Sequence, residues 1–351
     1  MSDILWIDLE TYNCEKDIRV GTYEYARTAE IMLIAYALND EPAGLWDRTQ
    51  EAIPSELNEA FNNPKTKYIA HNSQFDRTVL RLSRLFSEQV GDPKNWECTM
   101  VRAMLHGFSG SLDKLGDIFG LGADEAKIKD GKKLINRFCK PAPKNHKADR
   151  YTAETHPDEW DRFCEYAVRD VEAMRKIAKR LPNWNWDADE YHLDQIVNDR
   201  GFQVDMQLVR AGAKAAAQEK ITLAERFVKL TNGDVASPTQ RAKFLEYLND
   251  KYLLRLKDTK RSTLEFIVQE IKKEPYMKKP FEGLEELIEI ALMANKTSTA
   301  KYATLEPAVS PDNRFRGGLQ FSGATRTRRW AGRTFQPQNL PSRDIPKSKS
   351  I

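Results

Sequence analysis

The first patterned segment, ILWIDLET at residues 4–11, carries an apolar run of buried-strand type. EIMLIAYAL, residues 30–38, predicts a second strand, and residues 44–46 a short edge strand. Residues 54–61 read as a helix, KYIAHN as a short strand running into a loop, and residues 74–86 as a helix. A short strand at 96–99, a helix start at 101–106 and two small leucine-patterned helices at 112–119 and 132–138 follow. The polar, proline-bearing loop 140–150 precedes a helix over 157–181, with Thr155 as its cap. Strands first, with helices interleaved and after them, predict an α/β domain over residues 1–185.

PNWNWDAD then reads either as a linker or as a segment whose two tryptophans pack between domains, and beyond it the pattern turns helical. Helices are expected at 190–199, 206–230, 261–272 and 281–301, the second carrying the strong helix formers AGAKAAAQEK. Ser237 before Pro238 marks another helix start. No strand-rich stretch interrupts residues 190–300, so residues 186–305 are expected to form an elongated, mainly helical domain. Residues 306–351 are rich in Gly, Arg, Gln and Pro and too poor in aliphatics to bury a core of their own.

The length of 351 residues suits two domains and a fragment, and 40% hydrophobic with 30% charged residues is a globular composition. No run of about 18 apolar residues occurs, so no spanning helix is expected. Nor is a secretory signal, and four dispersed cysteines without CxxC spacing read as free thiols in a reducing compartment, the cytoplasm. The net charge of +3 hides an asymmetry. Residues 314–351 carry nine Lys/Arg against Asp344 alone, a charge of +8 on a body of −5. Such a basic cluster attracts nucleic-acid phosphates.

Candidate chemistry lies in three acidic elements. Asp8 and Glu10 sit two apart in the first strand, which puts both carboxylates on one side. Adjacent carboxylates are costly unless protonated or neutralised, and hard divalent cations take such ligands. In HNSQFDR, residues 71–77, Asn72 is placed to cap the following helix, with Asp76 in its first turn and Phe75 and Leu80 packing it on the sheet. His71 either contacts substrate or holds a structural hydrogen bond; Arg77 either touches phosphate or pairs with an acid. Tyr166 and Asp170, four apart on a helix, share one face.

Together, DxE in the first strand, NxxFD after a later strand and YxxxD in a late helix resemble the three motifs of the DEDDy exonucleases. That family has a ribonuclease-H-like fold and includes the proofreading domains of family A DNA polymerases. The resemblance covers roughly residues 1–181 and implies a 3′→5′ exonuclease using two divalent metal ions, Mg²⁺ or Mn²⁺. It implies that Asp8 bridges the two ions and that Glu10 and Asp170 complete the site holding the nucleophilic water. Asp76 then supports the second ion, through water, and Tyr166 orients the attacking water. Asn72 and Phe75 are taken as contacts to a single-stranded 3′ end.

The later segments GGLQFSGATRTRRWAGR and FQPQNLP resemble the passage from thumb to palm in family A polymerases, especially phage enzymes. Thr327-Arg328-Arg329 matches a T-G-R pattern with Arg328 in place of glycine, so either the local geometry differs or an extra cation faces the duplex. NKTSTAKY, residues 295–302, resembles the helix at the base of the thumb. The resemblance implies contacts from Lys296 and Lys301 to primer phosphates, and from Arg326, Arg328, Arg329 and Gln338 to the primer–template duplex. The DYSxIE-like and HDE-like palm motifs do not occur in these residues. The expectation is therefore a proofreading exonuclease that is not a complete polymerase. The chain would then be either a subunit that pairs with a separate chain carrying palm and fingers, or the amino-terminal product of an interrupted or truncated gene. A self-sufficient DNA or RNA exonuclease, and a catalytically silent DNA-binding assembly subunit, are the alternatives.

Overall fold

Strand β1 (Ile4–Tyr12) divides its side chains between two faces: Leu5, Ile7 and Leu9 enter one buried cluster, Trp6 and Tyr12 the opposite one. Asp8 and Glu10, between them, share the second face. The computed structural model describes residues 3–121, 131–146, 148–183, 188–273, 281–295 and 300–336. Strands β2 (Glu30–Leu38) and β3 (Gly44–Asp47) extend the sheet antiparallel on one side of β1. On the other side, β4 (Lys67–Ala70) and β5 (Trp96–Cys98) run parallel to β1 and to each other, giving the order β3-β2-β1-β4-β5.

The continuous apolar run of β2 is explained by burial on both sides: Ile31, Ile34 and Tyr36 face one cluster, Met32, Leu33, Ala35 and Ala37 the other. Met32 and Leu33 are consecutive yet share a face because the β1–β2 register shifts between Glu10 and Thr11. A bulge therefore lies opposite Glu10, the kind of irregularity that re-aims a neighbouring side chain.

Helices α1 (Thr22–Ala26), α2 (Ser55–Asn62), α3 (Ser73–Ser83), α4 (Thr99–Leu105), α5 (Leu112–Ile118) and α6 (Gly131–Phe138) lead to the long α7 (Pro157–Arg180). Proline at N1 starts α7. The expected cap is not used: His156 holds the N-cap position without a side-chain bond, while Thr155 is turned back on Thr152, whose N–H donates to its Oγ at 2.9 Å. Helix α7 lays Trp160, Phe163, Tyr166, Ala167, Val171 and Met174 against the Met32/Leu33 face of the sheet.

The chain forms two compact units, Met1–Val204 with Pro307–Ile351, and Asp205–Glu306. These bounds run differently from 185 and 305, because α8 (Ala188–Arg200) packs with the first unit. So does the glycine- and arginine-rich segment beyond 306: β6 (Phe202–Gln203) pairs with β7 (Arg314–Phe315), and β8 (Leu319–Gln320) with β9 (Ala331–Gly332). Its few aromatics borrow an existing core, Phe321 joining Cys98, Val101, Leu105 and Tyr191. The Asn198 amide completes the join, accepting from the N–H of Leu319 and donating to its carbonyl, both at 3.0 Å.

Asp194, also on α8, is buried and accepts from Trp330 Nε1 at 2.7 Å, Gln195 at 2.9 Å and Asn198 at 3.1 Å. Burial nonetheless outweighs these donors and pushes its carboxyl up to about 6 from 3.8. The native state then holds more protons than the unfolded chain between those values, so stability declines as pH rises from 4 to 6, by about 3 kcal/mol. Chemical denaturation across that range is expected to show this slope, and Asp194→Asn to remove it.

The second unit is all helical: α9 (Met206–Leu230), α10 (Arg241–Tyr252), α11 (Arg261–Lys273), α12 (Leu284–Ala294) and α13 (Ala300–Leu305). Phe227, Phe244, Leu248, Leu264, Leu287 and Ile288 centre its core. Two expectations shift. Ser237-Pro238 does not open α10, which begins at Arg241; Ser237 instead forms a turn with Thr239. The helix expected over 281–301 stops at Ala294, where Asn295 caps it.

Candidate active site

At one end of β1, five side chains converge. Asp8 and Glu10 project from the strand, Asp76 from the first turn of α3, and Tyr166 and Asp170 from successive turns of α7. Glu10 is 7% exposed, Asp76 2%, Asp170 6% and Tyr166 1%. Asp76 reaches the edge of β1 because β4 pairs with it only over Ile4–Trp6. Beyond that point the N–H of Leu9 donates to the Asp76 carboxylate, as does Asp76's own N–H.

Electrostatics records how close the acids lie. Burial, and then the negative charge of Asp8, push the Asp76 carboxyl far above the usual range, against those two N–H groups. Tyr166 is likewise pushed far above an ordinary phenol, first by burial, then by Asp170, Glu10 and Asp8. Its hydroxyl donates to Asp170. Among the described residues no group of three or more His, Cys, Asp or Glu side chains is placed closely enough to hold a metal ion.

Asn72 stands at the N-cap position of α3 but makes no cap bond; its backbone is left-handed, φ 72°, which asparagine tolerates better than most residues. The helix entrance is held instead by its carbonyl, which accepts from the N–H of Phe75 at 2.8 Å. Phe75 lies 6.0 Å from the Tyr25 ring and lines a cleft of about 420 Å³ with Glu10, Thr11, Ile135, Cys139 and Lys140. His71 is structural, bridging Thr99 Oγ at 2.9 Å and the carbonyl of Gly110 at 3.0 Å. Arg77 pairs with an acid: its guanidinium, 1% exposed, grips Asp199 of α8 with two bonds of 2.8 Å and donates to the carbonyl of Gly91 at 2.9 Å. Arg81 and Tyr23 also bind Asp199.

Arg326, Arg328 and Arg329 are exposed on the turn before β9. Arg328 keeps a left-handed backbone, φ 54°, so an arginine occupies a conformation that glycine adopts without strain. Lys301 is half-buried on α13, and Lys296 and Gln338 lie outside the described residues. In the helical unit, a cavity of about 760 Å³ is rimmed by Arg241, Lys257, Lys260 and Arg261. No helix among the described residues is long and apolar enough to cross a membrane.

The residues that sequence reasoning missed are those acting on the five. Cys139 Sγ lies 3.6 Å from Glu10 Oε2, and its thiol is pushed well up by burial and then by Glu10. Asp199 carried one usable signal: α8 places polar Asp194, Gln195 and Asn198 on its buried side, a pattern that only a polar network satisfies.

Three antiparallel and two parallel strands in this order, with an acidic end on the central strand and α7 across one face, define a ribonuclease-H-like nuclease domain. A family model described as 3′-5′ exonuclease, that of family A DNA polymerases, matches residues 7–184, and the chain belongs to that family. It is similar to a DNA polymerase of Bacillus phage SP02, 33% identical over 350 residues. The match covers 97% of this chain and 52% of that protein, so the chain spans about half the length of this relative. The fold resembles the POL domain of Pol1 from M. smegmatis, solved in complex with DNA primer-template and dNTP. There the TM-score is 0.56 at 13% identity, over 97% of this chain and 53% of the other. The helical unit fits a thumb-like domain.

Proposed function

We propose that this chain hydrolyses DNA phosphodiesters from 3′ ends, releasing 5′-mononucleotides, as the proofreading part of a family A DNA polymerase. The observation that carries this reading is the convergence of Asp8, Glu10, Asp76, Asp170 and the Tyr166 hydroxyl at one end of β1. The donor set suits divalent cations: burial and then the charge of Asp8 push the Asp76 carboxyl up, and a hard cation held by these acids would relieve that repulsion. Asp8, Glu10, Asp76 and Asp170 would hold the ions, Mg²⁺ or Mn²⁺. When bound, these ions supply an acidified water and neutralise charge on the phosphoryl and leaving oxygens.

The protein's own groups do the positioning. Tyr166 stays protonated, so it orients a water as a neutral phenol rather than taking its proton. The cleft beside Glu10, with Phe75 and Ile135 on its walls and Lys140 at its side, suits a single unpaired 3′ nucleotide. Asn72 is proposed to contact the same end. Basic residues of the helical unit, among them Lys301 and the rim of the larger cavity, are proposed to hold the duplex through its phosphates. Arg326, Arg328 and Arg329, all exposed, are proposed to do the same. With its relative a phage polymerase, the place of action is proposed to be the host cytoplasm. Palm and fingers are proposed to lie on a partner or in further sequence.

Digestion of 3′-labelled single-stranded DNA, mismatched duplex and RNA of the same sequence tests the substrate. Mismatched and single-stranded DNA are expected to be degraded fastest; a strong preference for RNA contradicts the polymerase-associated reading. Tyr166→Phe keeps the packed ring and removes the hydroxyl. Its turnover is expected to fall about a hundredfold, as misplacing a reactant does. Thermal unfolding is expected to show an unchanged melting temperature.

A further inference from the structure

We propose that residues 131–139 form a positioning scaffold for the nuclease site, Gly131 acting on Tyr166 and the Cys139 thiol acting on Glu10. The proposal rests on the hydrolytic reading above and deepens it. The segment touches two of the five converging side chains from its opposite ends.

At its start, a Cβ on Gly131 would fall 2.3 Å from Cε2 and 2.7 Å from Cδ2 of Tyr166. No side-chain carbon fits there, so only glycine lets the helix backbone lie against the phenol ring. The ring has no room to retreat: it is 1% exposed and stacks on Phe163 with the planes 4° apart. At its end, the Cys139 S–H donates to Glu10 Oε2 at 3.6 Å. Cys139 is itself fixed by its N–H to the carbonyl of Ile135 at 2.9 Å, and its carbonyl accepts from the N–H of Asn13 at 3.4 Å. Between the two ends, Leu134 and Phe138 are buried in the cluster that holds Tyr166, and Phe138 meets Trp160 edge-on at 89°. Glu10 lies opposite the β2 bulge, where the strand geometry is irregular, and the thiol gives its carboxylate a fixed neighbour. One rigid helix thus sets both the carboxylate and the phenol.

Four proteins test this: the unmodified chain, Cys139→Ala, Cys139→Ser and Gly131→Ala. Each is taken through thermal unfolding, Mn²⁺ binding by calorimetry without DNA, and steady-state digestion of single-stranded DNA. Cys139→Ala is expected to weaken Mn²⁺ binding about tenfold, the usual cost of losing a group that orients a ligand, and to lower kcat with KM unchanged. Cys139→Ser restores a donor and is expected to recover most of both. Gly131→Ala displaces the phenol whose hydroxyl donates to Asp170, so it is expected to lower kcat and to weaken Mn²⁺ binding as well. Unchanged Mn²⁺ affinity in Cys139→Ala overturns the scaffold, as do losses that merely follow a lowered melting temperature. Failure of the functional reading looks different: unmodified protein that binds Mn²⁺ yet digests no nucleic acid. The calorimetric comparison still decides the scaffold in that case.

Discussion

Replacing Asp8 and Glu10 together by alanine is expected to abolish Mg²⁺- or Mn²⁺-dependent digestion while leaving DNA binding nearly intact. Ion-assisted charge neutralisation is worth several kcal/mol, and each 1.36 kcal/mol is tenfold in rate. The loss is therefore about a thousandfold or more. The stability change is expected to run the other way. In the unmodified chain burial and then the charge of Asp8 push the Asp76 carboxyl up, which marks the two acids as an unfavourable pair. Removing Asp8 relieves the repulsion, so the double variant is expected to melt no lower than the original. A variant that loses activity because it unfolds would show the opposite, and paired melting and digestion curves separate the two.

Asp199→Ala is the substitution expected to cost most stability, about 3–5 kcal/mol, because it strands a buried guanidinium. Burial disfavours the charge on Arg77, but the two Asp199 bonds more than offset it and hold the group charged. Without them Arg77, at 1% exposure, is left with the carbonyl of Gly91 and the Gln195 amide oxygen as uncharged acceptors in the core. Arg81 and Tyr23 lose the same carboxylate. The double change Arg77→Met with Asp199→Leu replaces the pair by apolar groups and is expected to cost less than Asp199→Ala alone. Urea denaturation of the three variants measures this. A cost below about 1 kcal/mol for Asp199→Ala, the value of an exposed pair, contradicts the burial argument. Because Arg77 follows Asp76 in α3, the same variant is expected to lose exonuclease activity at temperatures where it remains folded.

Much of the site was legible because its signals are local. A strand period of two puts Asp8 and Glu10 on one face, and a helix period puts Tyr166 one turn from Asp170; both periods hold in the fold. The DxE face also had to be the α7 face, since Leu5, Ile7 and Leu9 claim the other. The side on which Asp76 approaches was not legible: it depends on where β4 stops pairing with β1, a tertiary fact. The caps were misread for a related reason. Thr155, Asn72 and Ser237 have the right chemistry, but each is committed to a turn or a left-handed backbone instead. The segment beyond 306 looked too poor in aliphatics to order itself. In the fold it leans on α8 through Asn198, Asp194 and two aromatics, contacts made across more than 100 residues of chain. Arg328 was a departure of unknown consequence in the sequence. In the fold it retains the left-handed turn that a glycine would occupy.

The central claim, that these five side chains form a working 3′ exonuclease, is tested most directly by one time course. The protein is incubated with a labelled duplex bearing a mismatched 3′ terminus, with Mg²⁺, with Mn²⁺ and with excess chelator. Stepwise release of 5′-mononucleotides from the 3′ end in the presence of either ion, stopped by the chelator, is the expected result. No release with either ion, or release that persists in the chelator and in the Asp8→Ala, Glu10→Ala double variant, contradicts it.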